Sequence, residues 1–378
     1  MLPPKNHRLH IGFFGRRNAG KSTLVNALAG ETVSIVSPIA GTTTDPVEKA
    51  MELHGIGPAT LIDTAGLDDT DTPLGRERVA RSRAALARCD LVLVVYADNW
   101  SPLEQSVFDE CARRGVPAVS VHNPHDGGGP SQADLLHLIR SSVPESALHR
   151  PALVSDLVPA GATVVLVTPI DPEAPVGRLI LPQVQTLRDL LDGHCLALVV
   201  QDTELAAALA ALRAPPALVV TDSQAFARVS ALVPPEIPLT SFSVLMARFQ
   251  GDFAAFLDGA RTLAALRPGD TVAIAEACTH RPDDEDIGTV KIPRLLQKKA
   301  GGELHFRFLR GHDLPDDLTD VHLVIHCGAC VWNRRAMLQR ISECRSRGLP
   351  ITNYGMTIAW CLGILERAVE PLVQRSKD

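Results

Sequence analysis

Hydrophobic residues along this chain fall in short blocks separated by turn formers. Leu9 to Phe14, Leu61-Ile62, Leu91 to Val95 and Val116 to Val121 are apolar runs of the length and make-up of buried strands, and helical spacing begins at Lys21 and again near Arg76 to Arg88. That alternation predicts an α/β domain on a mainly parallel sheet. The composition shifts at Asp126-Gly-Gly-Gly-Pro-Ser131, after which Val164 to Thr168, Ala197 to Val200 and Ala217 to Thr221 read as strands between Leu/Ala-rich helices at Gln183 to Leu191 and Glu204 to Leu212. A third region opens after the helical stretch Phe253 to Leu266, with strands near Val272 to Ala275, Leu304 to Phe308 and Val321 to Ile325. The expectation is three α/β domains over residues 1–150, 151–245 and 246–378, the first a phosphate-loop fold and the others smaller.

Composition agrees with several cores. At 378 residues, 46% hydrophobic and 21% charged, the chain is core-rich rather than disordered. Its apolar runs end well short of the about 18 positions a membrane helix needs, and Met1-Leu-Pro-Pro-Lys does not lead into a signal segment. A cytoplasmic location is expected. The net charge of -6 gives no general attraction to nucleic acid. Eight cysteines without a secretory signal suggest buried thiols or metal ligands rather than disulfides.

The first chemical motif is Gly15-Arg-Arg-Asn18-Ala19-Gly20-Lys21-Ser22-Thr23, between an apolar strand and a helix. Its glycines let backbone N–H groups face phosphates, Lys21 reaches the β and γ oxygens, and the Ser22 hydroxyl suits Mg²⁺. Thr43 and Thr44 lie in a switch-like Gly41-Thr-Thr-Thr-Asp45, and Asp63-Thr-Ala-Gly66 supplies a second Mg²⁺ oxygen at Asp63 and a γ-phosphate-sensing N–H at Gly66. Residues 9–126 thus resemble an Era/TrmE-type GTPase domain. The resemblance implies GTP and GDP binding with Mg²⁺, and K⁺ stimulation through Asn18.

Where such domains read guanine with N-K-x-D, this chain has Asn123-Pro124-His125-Asp126. Asp126 can still accept from the base, but Pro124 lacks the aliphatic stem that covers it, so the preference for guanine is weakened. Leu67 stands where a water-orienting glutamine would be, which predicts slow turnover. No catalytic residue is assigned.

Cys278-Thr-His280 and His326-Cys327-Gly-Ala-Cys330 each follow a strand, where a sheet can bring separate loops together. Three thiolates with two imidazoles suit either a tetrahedral zinc or a 4Fe–4S cluster with one open iron, and spacing does not separate the two. Cys89, Cys111, Cys195, Cys344 and Cys361 read as packing residues.

The C-x-H and H-C-x-x-C pair, with Asp286-Ile-Gly-Thr-Val-Lys-Ile-Pro293, Thr352-Asn-Tyr-Gly355, Pro182-Gln-Val184 and Thr221-Asp-Ser-Gln224, resembles the HydF family of FeFe-hydrogenase maturation. That resemblance implies a 4Fe–4S cluster on Cys278, Cys327 and Cys330, with His280 and His326 as auxiliary ligands. It also implies a homodimer through the middle domain, and a transient diiron precursor received with the radical-SAM maturases HydE and HydG and passed to the apo-hydrogenase. A different class remains open: an Era/TrmE-like RNA-modification GTPase with a structural zinc or iron–sulfur site.

Overall fold

The computed structural model describes residues 3–30, 46–148, 151–170, 179–277, 286–311 and 313–375. It divides into two compact units, Met1–Arg150 and Pro151–Asp378.

The first unit is built on β1 (Leu9–Phe14), β2 (Val47–Leu53), β3 (Gly57–Asp63), β4 (Leu91–Tyr96) and β5 (Ala118–His122), in the order β2-β3-β1-β4-β5. All pairings are parallel except β2 with β3. Side chains alternate across the sheet: Ile11, Phe13, Leu91, Leu93 and Val95 enter one core, and Phe14, Ile62, Val92 and Val94 the other. Burial on both faces is why β1 and β4 read as continuous apolar runs. β2 went unread because it is a largely exposed antiparallel edge with charges at Glu48, Lys49 and Glu52.

The second unit holds two parallel sheets. One contains β6 (Thr163–Val167), β7 (Leu196–Val200), β8 (Leu218–Thr221) and β9 (Leu239–Ser241), ordered β7-β6-β8-β9; the other contains β10 (Thr271–Glu276), β11 (His305–Arg310), β12 (Val321–His326) and β13 (Ile351–Asn353), ordered β11-β10-β12-β13. Both sheets contribute to one continuous core. The division expected at residues 245–246 falls inside the helix Phe242–Gln250.

The short edge strands β9 and β13 end alike. Ser241 accepts the Val244 N–H at 3.2 Å and Asn353 accepts the Met356 N–H at 2.9 Å, so each strand turns directly into a capped helix. The second of these helices is Tyr354–Leu362. Gly363, at φ 75°, adopts the left-handed conformation that stops it before Leu365–Arg375 starts. Behind β13, Gly259 of the helix Phe253–Thr262 leaves no room for a side chain: an added Cβ would stand 3.1 Å from the Ile351 nitrogen and run into its carbonyl group.

Candidate functional site

Each unit presents a site at the C-terminal ends of its strands, the edge where parallel α/β sheets bind ligands.

In the first unit the loop after β1 curls over the N-terminus of the helix Lys21–Ala29. Three residues carry positive φ: Gly15 at 154°, Asn18 at 60° and Gly20 at 83°. A Cβ on Gly15 would run into the Val95 carbonyl, so that glycine is set by close backbone approach as well as by conformation, and one on Gly20 would run into the Asn123 side-chain amide. Lys21 is buried and donates to the Gly15 and Arg16 carbonyls at 3.1 and 2.8 Å. Burial lowers its pKa, opposed by the charges of Asp63, Asp68 and Glu104.

Ser22 Oγ donates to Asp63 Oδ2 at 2.5 Å, while Asp63 Oδ1 is buried with no hydrogen-bond partner. Burial raises the Asp63 pKa, against the Ser22 bond and the charge of Lys21. A hydroxyl beside an unmatched buried carboxylate oxygen is the donor set a hard divalent cation takes. Thr23 follows as an exposed first-turn residue and Ala19 is buried. Thr43 and Thr44 lie outside the described residues.

The segment Asn123–Asp126 is joined to this loop. Asn123 Nδ2 donates to the Ala19 carbonyl at 3.0 Å, and its own N–H donates to Tyr96 at 2.8 Å. Asp126 Oδ1 accepts the Gly128 N–H at 3.1 Å, an Asx turn that holds the carboxylate in its own loop. Residues the motifs did not single out brace the site from outside. Arg16 Nε bonds buried Glu104 Oε1 at 2.9 Å, and Arg17 bonds the acidic run after Leu67. Neither pair has a sequence signature, since each joins loops that only the fold brings together.

In the second unit a cavity of about 310 Å³ opens where β8, β10 and β12 end. Cys327 and Cys330 line it with Glu276, Asp286, Tyr354, and Ser223 and Gln224 from the β8 end. Cys327 is held in place by the sheet: its N–H donates to Ala275 at 2.9 Å, and its sulfur accepts the Ala277 N–H at 3.1 Å. Ala329 between the cysteines has φ 49°, and Trp332 Nε1 donates back to the Ala277 carbonyl at 3.1 Å. Both main-chain groups of Ala277 are thereby tied to the Cys327–Trp332 loop. Cys278 is the next residue in the chain; it and His280 lie outside the described residues.

His326 is fully buried, with Nδ1 2.9 Å from the Cys327 carbonyl and its ring 5.2 Å from that of Trp332. This contact orients the loop that carries the cysteines. Beneath it, buried Arg340 sets its guanidinium 5.0 Å from the Trp332 ring and donates to the Gly311 carbonyl at 2.8 Å, a cation whose charge is felt at Cys327. Tyr354 OH lies 3.3 Å from Glu276 Oε1, and burial together with Cys327 and Glu276 holds its pKa well above the ordinary value. Glu276 and Asp286 were not expected as site residues; only their positions at a strand end and a helix start hint at it. Among the described residues no group of three or more metal-ligating side chains gathers, the third cysteine lying beyond them.

Comparison with known proteins follows this division. The chain matches the family models for the hydrogen maturase F dimerization domain over residues 153–251, the hydrogen maturase F tetramerization domain over residues 254–371, and a 50S ribosome-binding GTPase over residues 10–124. Curated relatives include the tRNA modification GTPase MnmE of Ralstonia nicotianae, 41% identical over 130 residues that cover 32% of this chain and 27% of that protein. That of a Bradyrhizobium species is 52% identical over 97 residues, covering 26% and 22%. The chain thus spans about a quarter of the length of these relatives. Similar solved structures include the G domain of the T. maritima FeoB iron transporter, at 20% identity over 36% of this chain and 98% of that one, with a TM-score of 0.26. Era of Aquifex aeolicus bound to GDP and aluminium fluoride is 17% identical over 81% and 94%, with a TM-score of 0.25. With a GTPase domain followed by both of that family's own domains, the chain belongs to the hydrogen maturase F family, HydF.

Proposed function

We propose that this chain is a nucleotide-binding scaffold of FeFe-hydrogenase maturation that holds a 4Fe–4S cluster and carries a diiron precursor to the apo-hydrogenase. The observation that carries the reading is the cavity at the ends of β10 and β12, with Cys327 and Cys330 on its wall and Cys278 directly following Ala277. The donor set fits such a cluster: a sulfur that accepts a backbone N–H, a second half-buried thiol two residues beyond Gly328, and buried Arg340 to offset negative charge. Cys278, Cys327 and Cys330 would hold it, with His280 and His326 auxiliary; when bound, it supplies an iron open to an exchangeable ligand. Ser223, Gln224 and Tyr354 line the space beside it, and Ile287, Met246 and Ile358 limit water there.

In this reading residues 1–150 bind GTP with Mg²⁺ on Ser22 and Asp63 and hydrolyse it slowly, because buried Leu67 offers no polar group to a water. Asn18 supports K⁺ stimulation, and Asn123-Pro-His-Asp126 a relaxed preference for guanine. The middle sheet joins two copies, the last sheet carries the cluster, and the partners are HydE, HydG and the apo-hydrogenase in the cytoplasm. The tRNA-acting relatives suggest an RNA-modifying alternative. The arginines of the helix Pro73–Ala84 weigh against it: Arg78, Arg81 and Arg83 already face Asp69, Glu77 and Glu110. Salt-sensitive tRNA binding would restore it.

The test is anaerobic reconstitution of the full chain with iron and zinc analysis and EPR after reduction. Cys327→Ser or Cys330→Ser should lower bound iron severalfold and remove the wild-type signal. Stoichiometric zinc in place of iron, or full iron and sulfide in the Cys278→Ser, Cys327→Ser, Cys330→Ser triple variant, would overturn the assignment.

A further inference from the structure

The segment after β3 lies against the phosphate loop. Gly66 sits so near Arg17 that an added Cβ would stand 2.7 Å from the Arg17 nitrogen, and the Leu67 N–H donates to the Gly15 carbonyl at 3.1 Å. The next residue brings a carboxylate into the loop: Asp68 Oδ1 accepts the Arg17 backbone N–H at 2.6 Å, with Oδ2 3.6 Å from Arg17 Nε. The same guanidinium reaches the Asp68 carbonyl at 3.3 Å and the Asp71 carboxylate at 2.9 Å, and lies 3.8 Å from Asp69. The Asp68 charge is also felt at Lys21.

Backbone N–H groups of a phosphate loop and its lysine are the donors that bound phosphates take. A carboxylate that accepts from one of these N–H groups within the field of the lysine occupies an anion position. Asp68 stands beside Gly66, whose N–H is the expected sensor of a third phosphate. Its place is therefore at the end where a third phosphate arrives.

We propose that Asp68 is a specificity-determining residue of the nucleotide site: its carboxylate stands in for the terminal phosphate, so a triphosphate must displace it from Arg17 while a diphosphate leaves it in place. The inference rests on the nucleotide-binding reading above. Two anions cannot share the Arg17 N–H, and their repulsion at contact distance adds to the competition. The outer arm matters less, because Arg17 and Asp71 are well exposed and such pairs contribute little.

The experiment is calorimetric titration of the full-length protein with GDP and with a non-hydrolysable GTP analogue, both with Mg²⁺. Asp68→Ala should raise affinity for the analogue about tenfold, the scale of one charge-assisted hydrogen bond, and change GDP affinity much less. Asp68→Asn, which keeps an acceptor oxygen without its charge, should fall between, and Asp71→Asn should stay near wild type. Loss of analogue affinity in Asp68→Ala and Asp68→Asn, or equal gains for both nucleotides, would overturn the proposal while leaving the nucleotide site standing. A wild-type protein that binds no GDP would overturn both.

Discussion

His10, inside β1, shows how one buried side chain sets a condition on the whole unit. It is enclosed in the sheet with Nδ1 3.0 Å from the Arg8 carbonyl and 4.0 Å from Asp90, near Lys5, Glu48 and Arg88. Burial, the largest cause, pushes its pKa from 6.5 down to about 3. Between those values the unfolded chain binds a proton that the folded chain refuses. Stability is therefore full above about pH 6.5 and is lost as pH falls toward 3, by roughly 1.4 kcal/mol per unit where the difference is complete. The non-titrating variant His10→Gln should unfold with a shallower dependence of its thermal midpoint on pH between neutrality and acid; parallel curves for the two proteins would refute this. The cysteines divide on similar grounds. Burial raises the pKa of Cys344 and Cys361 to about 12 and pushes Cys89 and Cys195 up as well, leaving them as packing thiols, whereas Cys327 and Cys330 sit half-exposed on a cavity wall. In the sequence the same division rests on the spacing of the Cys-x-x-Cys pair and on the apolar or helical surroundings of the others. Asp68, Glu104 and Glu276 could not be found that way, since an isolated carboxylate has no pattern until the fold supplies its neighbour.

Among elements, the strands with continuous apolar runs were legible, the edges β5, β7 and β11 included, and the short or charged edges were not. β2 and β13 have one open side and too few apolar residues to stand out, although β13 carries the cap that starts the helix bearing Tyr354. β7 is another edge, and it is not protected by charge: Leu196 is 61% exposed and Val199 38%, beside Leu191 at 56% on the helix Leu181–Asp192. An apolar edge of this kind invites pairing with another chain, and it lies in the segment matched by the family's dimerization domain. Leu196→Lys should weaken self-association by about tenfold or more, the effect of charging a central contact, without lowering the thermal midpoint. Unchanged mass in light scattering across a dilution series would argue that copies meet elsewhere.

At the scale of the whole molecule, the two candidate sites belong to separate compact units, each with its own core. Lys21→Ala removes the ammonium group of the phosphate loop and should abolish GTP binding, while reconstituted iron and its spectrum stay at wild-type values. Parallel loss of iron would show that the cluster depends on the nucleotide site for its assembly. The motifs of both sites were readable because each lies in a continuous stretch that ends a strand; the walls around Cys327 come from β8, β10 and the helices Leu181–Asp192, Phe242–Gln250 and Tyr354–Leu362, and only the packing of the sheets joins them.

Gly259 gives that packing a mechanical meaning. It faces the backbone of Ile351 from behind, two residues before Asn353 turns the chain into the helix whose first residue, Tyr354, reaches the cavity. A single methyl group added there would act as a shim under β13. The strand that leads into Tyr354 is thus seated on a residue outside the cavity's lining, and a side chain at this one position would displace the helix start while the sequence around every cysteine stays the same.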